Sequence, residues 1–157
     1  MPKPSHFSAD GAVSMVDVSA KAATRRSARA EAIVRMSAEA LKALRDASLE
    51  KGDALATAQI AGIAAAKRTD ELIPLAHTIP LSGVVVRFSF VEPDALRIEA
   101  QAHTTAQTGV EMEALVAASV AALTIYDMTK AMDRGIVVER IALLEKSGGK
   151  SGTWRRS

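Results

Sequence analysis

The chain contains no cysteine, which excludes disulfides and thiolate metal sites, and with them most structural zinc. Only three histidines are present, His6, His77 and His103, and none lies in a metal-ligand spacing such as HExxH. Aromatic residues make up 3%, too few for a platform on which nucleic-acid bases stack. Neither sign of charge dominates. Twenty Lys and Arg against 18 Asp and Glu leave a formal +2, so an anion preference has to come from local clusters rather than from the overall field. No run reaches the length of a membrane span without Gly, polar or charged interruption. The segment Met1–Ser14 lacks the apolar centre of a signal peptide. A cytoplasmic protein with no nucleic-acid and no membrane partner is expected.

What is present is a large apolar fraction, 48% over 157 residues, enough for one domain with a real core. The polar stretch 1–14 reads as a mobile segment, 15–157 as a single catalytic domain, and 146–157 as its flexible C-terminal loop. Two stretches, Ala54–Ala66 and Ala114–Tyr126, carry no charged residue. Helices apolar all round are expected to be buried all round, and their polar ends are then held rigidly, where a site is best built.

Local signals order the remaining elements. Arg29–Met36 alternates as a half-buried strand. Ser37 caps a helix to about Asp46, and Asp53 caps the Ala54–Ala66 helix. Val84–Val91 and Leu96–His103 form an antiparallel hairpin around Glu92-Pro93-Asp94. Thr108 and Glu111 form a capping box for a helix running to about Asp133, where Gly135 stops it. Ile136–Leu144 is a last strand. The outcome is an α+β fold, an antiparallel sheet packed on helices in a ferredoxin-like two-layer sandwich.

Several residues stand out chemically, each with a plainer alternative. Asp127 and Lys130 share one helix face and read either as an ordinary ion pair or as a positioned acid–base pair with a partly buried acid. His77, between Pro74 and Pro80, is eligible for proton transfer but equally suits a structural role. Lys51 and Lys67 lie at opposite ends of a helix of about 20 Å, so one small ligand reaches both only if a second copy supplies one of them. Lys146–Gly152 (KSGGKSG) lacks the first glycine and the following helix of a P-loop. It reads as a disordered tail or as a lid for a phosphate chain.

Six segments together carry a specific resemblance: MVDVSAK (15–21), KGD (51–53), AQIAGIAAAKRTDELIPLAH (58–77), TGVEMEAL (108–115), AALTIYDMTKA (121–131) and KSGGKSG (146–152). With these the chain closely resembles the cyclic pyranopterin monophosphate synthase (MoaC) family of molybdenum cofactor (molybdopterin) biosynthesis. The resemblance implies a lyase that converts 3′,8-cyclo-7,8-dihydro-GTP to cyclic pyranopterin monophosphate, a pterin, and releases diphosphate. It also implies a homohexamer, a trimer of dimers, with sites at the dimer interface. By resemblance Asp127 is the catalytic aspartate, and Lys51 and Lys130 serve acid–base steps. Leu75, Ala76, His77, Met112, Glu113 and Asp17 contact substrate. Arg26, Lys67 and Lys146 lie near the triphosphate. Gln107 stands where a Lys or Arg is common and is given no phosphate role. No protein-held metal and no cofactor is expected, and magnesium would arrive only with the substrate triphosphate. A non-catalytic nucleotide-binding module and a structural subunit of a larger synthase are the competing classes. A diphosphate-release assay separates the first of these from the enzyme.

Overall fold

A computed structural model of the chain describes residues 6–157, so positions 1–5 of the expected mobile segment lie outside the described residues. The element order is β1 (Thr24–Arg35), α1 (Ala38–Arg45), α2 (Ala54–Ala66), α3 (Thr69–Leu72), β2 (Leu81–Val91), β3 (Ala95–Ala106), α4 (Glu111–Thr129), β4 (Val137–Ser147) and β5 (Trp154–Arg155). The strands form one sheet in the order β2-β3-β1-β4-β5, every pair antiparallel. Two split β-α-β units, β1 to β2 and β3 to β4, interleave in that order. This is the expected α+β two-layer arrangement.

Alternation decides which face of the sheet meets the helices. Ala28, Ala30, Ala32 and Val34 of β1 and Leu96, Ile98, Ala100 and Ala102 of β3 are buried beneath α4. Arg29, Glu31, Arg97 and Glu99 point the other way. The facing positions of α4 are also small, with Ala114, Ala117, Ala118, Ala121 and Ala122 all 0% exposed. Small residues on both layers let the helix lie close to the sheet. The bulk needed to fill the rest comes from Leu41, Leu96, Ile98 and Ile125.

The helices begin where the side chains allow. Ser37 accepts from the Ala40 amide and Asp53 from the Ala56 amide, both as the sequence suggests. The expected capping box does not form. α4 starts at Glu111, with Val110 in the cap position and no side-chain cap bond, and the Glu111 carboxylate folds over Gly109 instead. At its other end α4 stops at Thr129, four residues before the expected Asp133. Asp133 serves the following turn, accepting from the amides of Ser37 and Gly135.

α2 packs on α4 through Gly62. A Cβ there would meet the Ala117 carbonyl oxygen at 2.8 Å and Val86 Cγ2 at 3.2 Å. Burial on every side, expected for both charge-free helices, is not what a single chain shows. Ile60 is 69% and Leu123 61% exposed. The apolar character of these helices serves the sheet on one side and leaves an uncharged outer face on the other. α4 is long and apolar enough to cross a bilayer by length and composition alone, a match the sequence reading had not seen. Its buried half is accounted for by the sheet and α2.

The end of the chain carries its own pairing. β5 joins β4 through Glu145–Arg155 and Lys146–Trp154, and the Arg156 amide donates to the Leu144 carbonyl at 2.8 Å. The loop between them turns at Gly148, whose φ is +95° and whose missing Cβ leaves room for the Arg25 carbonyl.

Candidate active site

Pocket-lining and charged residues gather at two ends of the helical layer. The first end is a cluster of three charges. The loop after α1 brings Lys51 to the last turns of α4, where its Nζ donates to the Asp127 carbonyl at 2.9 Å and lies 3.2 Å from Asp127 Oδ2. Lys130 Nζ donates to the other carboxylate oxygen, Oδ1, at 2.7 Å. Two ammonium groups thus hold one carboxylate from two sides. Asp127 is not the partly buried acid expected: its side chain is 58% exposed. The Lys130 and Lys51 bonds hold its carboxyl below the ordinary aspartate range. In return Asp127 raises the Lys130 ammonium above its usual value. The cluster therefore holds a firm anion at Asp127 beside a firm cation at Lys130 at neutral pH.

The second end is a pocket of about 450 Å³ at the N-terminus of α4, lined by Leu75, Ala76, His77, Met112 and Glu113 among others. These five expected substrate contacts come together although 34 residues separate His77 from Met112 by neither strand nor helix alone; the β2–β3 hairpin intervenes. Val16 and Val18 close one wall. His77 Nε2 donates to the Val16 carbonyl at 2.6 Å. The carbonyl only accepts, so Nε2 carries the hydrogen. Glu113 is 3% exposed. Burial, with the negative charges of Glu111 and Asp70 adding to it, pushes its carboxyl up to about 7. The side chains of the other two expected contacts behave differently. Asp17 turns back to accept from the Ser19 amide at 2.9 Å, which lowers its pKa, and it does not line the pocket. Lys67 is the exposed residue that ends α2, at the same end of the layer as Glu113, and it lines neither this pocket nor the basic cavity beside it.

A basic cavity of about 860 Å³ adjoins this pocket, sharing Lys21, Thr108, Gly109 and Glu111 with it. Arg26 and Lys146, both expected near phosphate, line it together with Lys150. Arg26 is fixed from behind: its Nε donates to the Ala106 carbonyl at 3.1 Å and its Nη2 to the Gln107 carbonyl at 3.3 Å. Gln107 thus contributes its backbone to the site rather than a charge. Lys146 Nζ donates to Ser151 Oγ at 2.6 Å and lies 3.7 Å from Glu111 Oε1. The glycine loop folds over Arg26, since a Cβ on Gly149 would strike its guanidinium. The buried Thr24 hydroxyl on this wall has no hydrogen-bond partner.

Lys21, Thr24 and Glu111 are among the polar lining residues that sequence reasoning missed as site residues. Lys21 was inside a quoted motif, MVDVSAK, while Glu111 was read as a cap and Thr24 carried no signal at all. Among the described residues no group of three His, Asp or Glu is placed to hold a metal ion.

A family model described as the MoaC family matches residues 15–149, a span that contains both charged ends of the helical layer. The chain belongs to the MoaC family. MoaC proteins form an enzyme family of molybdenum cofactor biosynthesis, and both ends of the layer described above fall inside the matched span. From the N-terminal turn of α4 at Met112 to Asp127 is about 22 Å at 1.5 Å per residue. One MoaC chain therefore does not bring Asp127 and His77 to the same small ligand.

Proposed function

We propose that this MoaC-family protein is a cyclic pyranopterin monophosphate synthase, a diphosphate-releasing lyase acting on 3′,8-cyclo-7,8-dihydro-GTP in the cytoplasm. The reading is carried by one observation: the charged cluster and the pocket occupy opposite ends of a helical layer whose outer face, at Ile60 and Leu123, is apolar and uncovered. A two-fold axis across that face lays the layer antiparallel on its copy. The Asp127 end of one chain then meets the His77 end of the other. Three such dimers would make the hexamer that the family resemblance implies.

Each end has its own part in that shared site. The basic cavity, with Arg26, Lys146, Lys150 and Lys21, takes the triphosphate, and the uncapped first turn of α4 adds a partial positive charge beside it. Closing the cyclic phosphate forms a bond from a ribose-derived hydroxyl to the α-phosphorus and breaks the bond to the departing diphosphate. Arginine and lysine charge stabilises what develops on the leaving group. The hydroxyl proton goes to a base. Glu113, poised near 7, suits both taking that proton and returning one during ring rearrangement. Asp127 stays ionised and fixes the Lys51 and Lys130 ammonium groups to donate hydrogen bonds to substrate oxygens and nitrogens. Magnesium, where it takes part, enters with the triphosphate.

The competing binding-module reading needs exposed sheet aromatics. Phe88 and Phe90 instead pack against the core. The test is turnover of the purified cyclic nucleotide by the whole protein, following diphosphate and pyranopterin together. Wild type yields both, whereas Asp127→Ala and Lys51→Ala fold and yield neither. Normal turnover by both variants contradicts the proposed chemistry.

A further inference from the structure

The helix-free face of the sheet carries a cluster that the proposed reaction does not use. β1, β3 and β4 turn Arg29, Arg97 and Arg140 towards it, and the end of the chain adds Arg155 and Arg156. The five line one cleft of about 320 Å³, and none of them lines the two cavities beside α4. At its floor is Glu31, with its side chain 7% exposed. One Glu31 oxygen is taken by Arg97 Nε at 2.8 Å and the other by Arg140 Nε at 3.2 Å. A buried carboxylate shared by two guanidiniums leaves a net cation and fixes the plane of each.

Arg155 and Arg156 are anchored through the same atom, whereas Arg29 spends both Nη groups on Glu99 and Glu145. Arg155 Nε lies 3.3 Å from Glu145 Oε2, and Arg156 Nε donates to the Leu143 carbonyl at 2.7 Å. In Arg140, Arg155 and Arg156 the two Nη groups have no hydrogen-bond partner among the described residues, and the Arg156 guanidinium lies over the Trp154 ring at 5.6 Å. Those groups form the fork that grips an oxyanion by parallel hydrogen bonds. The acidic side chains paired with these five guanidiniums are Glu31, Glu99 and Glu145, and Ser157 also lines the cleft, so positive side-chain charge is in excess inside a half-enclosed cleft, where its repulsion is screened less than in open water.

We infer that this cleft binds a compact polyanion of the phosphate class, at a site separate from the substrate pocket. Inorganic diphosphate is the probe. Titration calorimetry on the whole protein at low ionic strength is expected to resolve two classes of site. Arg140→Gln combined with Arg155→Gln weakens one class by about tenfold or more and leaves the other class and the turnover of the cyclic nucleotide unchanged. Lys146→Ala weakens only the other class. Because Arg140 also neutralises Glu31, a second variant, Arg155→Gln with Arg156→Gln, keeps the Arg97–Glu31–Arg140 group intact and gives the same selective loss. A single class removed by Lys146→Ala and untouched by both arginine pairs overturns the inference. So does a change of oligomeric state with diphosphate binding unaltered, which makes the face a contact between copies.

Discussion

Replacing Glu113 with Gln is expected to make the protein more stable, and only above a definable pH. Glu113 is 3% exposed, and its carboxyl is pushed from 4.5 to about 7 because the ionised form loses its water. In the unfolded chain the same group ionises near its ordinary value. Between those two values the folded protein holds a proton that the unfolded chain has released, so stability falls as pH rises through this window. Below 4.5 both states are protonated, and above 7 both are ionised, so the difference is flat on either side. At 1.36 kcal/mol per pH unit the cost of keeping Glu113 above pH 7 is at most about 3–4 kcal/mol, and water in the adjoining pocket screens part of it. Gln keeps the shape and removes the charge. Urea unfolding of wild type and Glu113→Gln across pH 4 to 8 checks this. The two curves are expected to coincide near pH 4, diverge in favour of Gln up to pH 7, and run parallel beyond. A pH-independent gap, or one that favours wild type at high pH, refutes the burial argument.

Other perturbations have outcomes fixed by single contacts. Gly62→Val drives a branched side chain into the Ala117 carbonyl and Val86, and overpacking on this scale costs about 1–3 kcal/mol, measurable as a lower unfolding midpoint. Gly148→Ala places a Cβ on the Arg25 carbonyl at a backbone angle of +95°. About 1–3 kcal/mol of strain follows, and weaker diphosphate binding in the basic cavity should accompany it. The Asp127 carboxyl should titrate below the ordinary aspartate range by side-chain NMR. Lys130→Met should move it back up further than Lys51→Met does, since the Lys130 bond is the larger influence.

Periodicity made the sheet and helices legible. Alternating Ala30, Ala32 and Val34 against Arg29, Glu31 and Arg35 set the face of β1, and Ser37 and Asp53 marked two helix starts by chemistry that depends on neighbours in sequence. What failed was whatever depended on distant partners. Glu111 matched a local capping pattern, but Gly109 left space for its carboxylate to fold elsewhere. The Ala-rich helices looked buried all round because hydropathy does not say how many layers will cover them. The meeting of Lys51, Asp127 and Lys130 was legible as chemistry, yet the partial burial expected of Asp127 is not found, its side chain being 58% exposed. A charge's environment is set by packing across 76 residues of chain, which no local window contains. Glu113 shows the same limit. It was named as a contact by resemblance, and its displaced pKa comes from burial and from Asp70, brought close by α3.

Complementation between two inactive variants tests the shared site most directly. Asp127→Ala and His77→Ala are each expected to lack turnover. When they are unfolded together and refolded, a mixed dimer has one site containing both native residues. Random pairing then restores roughly a quarter of wild-type turnover. If the mixture stays inactive while forming mixed oligomers, Asp127 and His77 do not meet across two copies, and the account of the site is wrong.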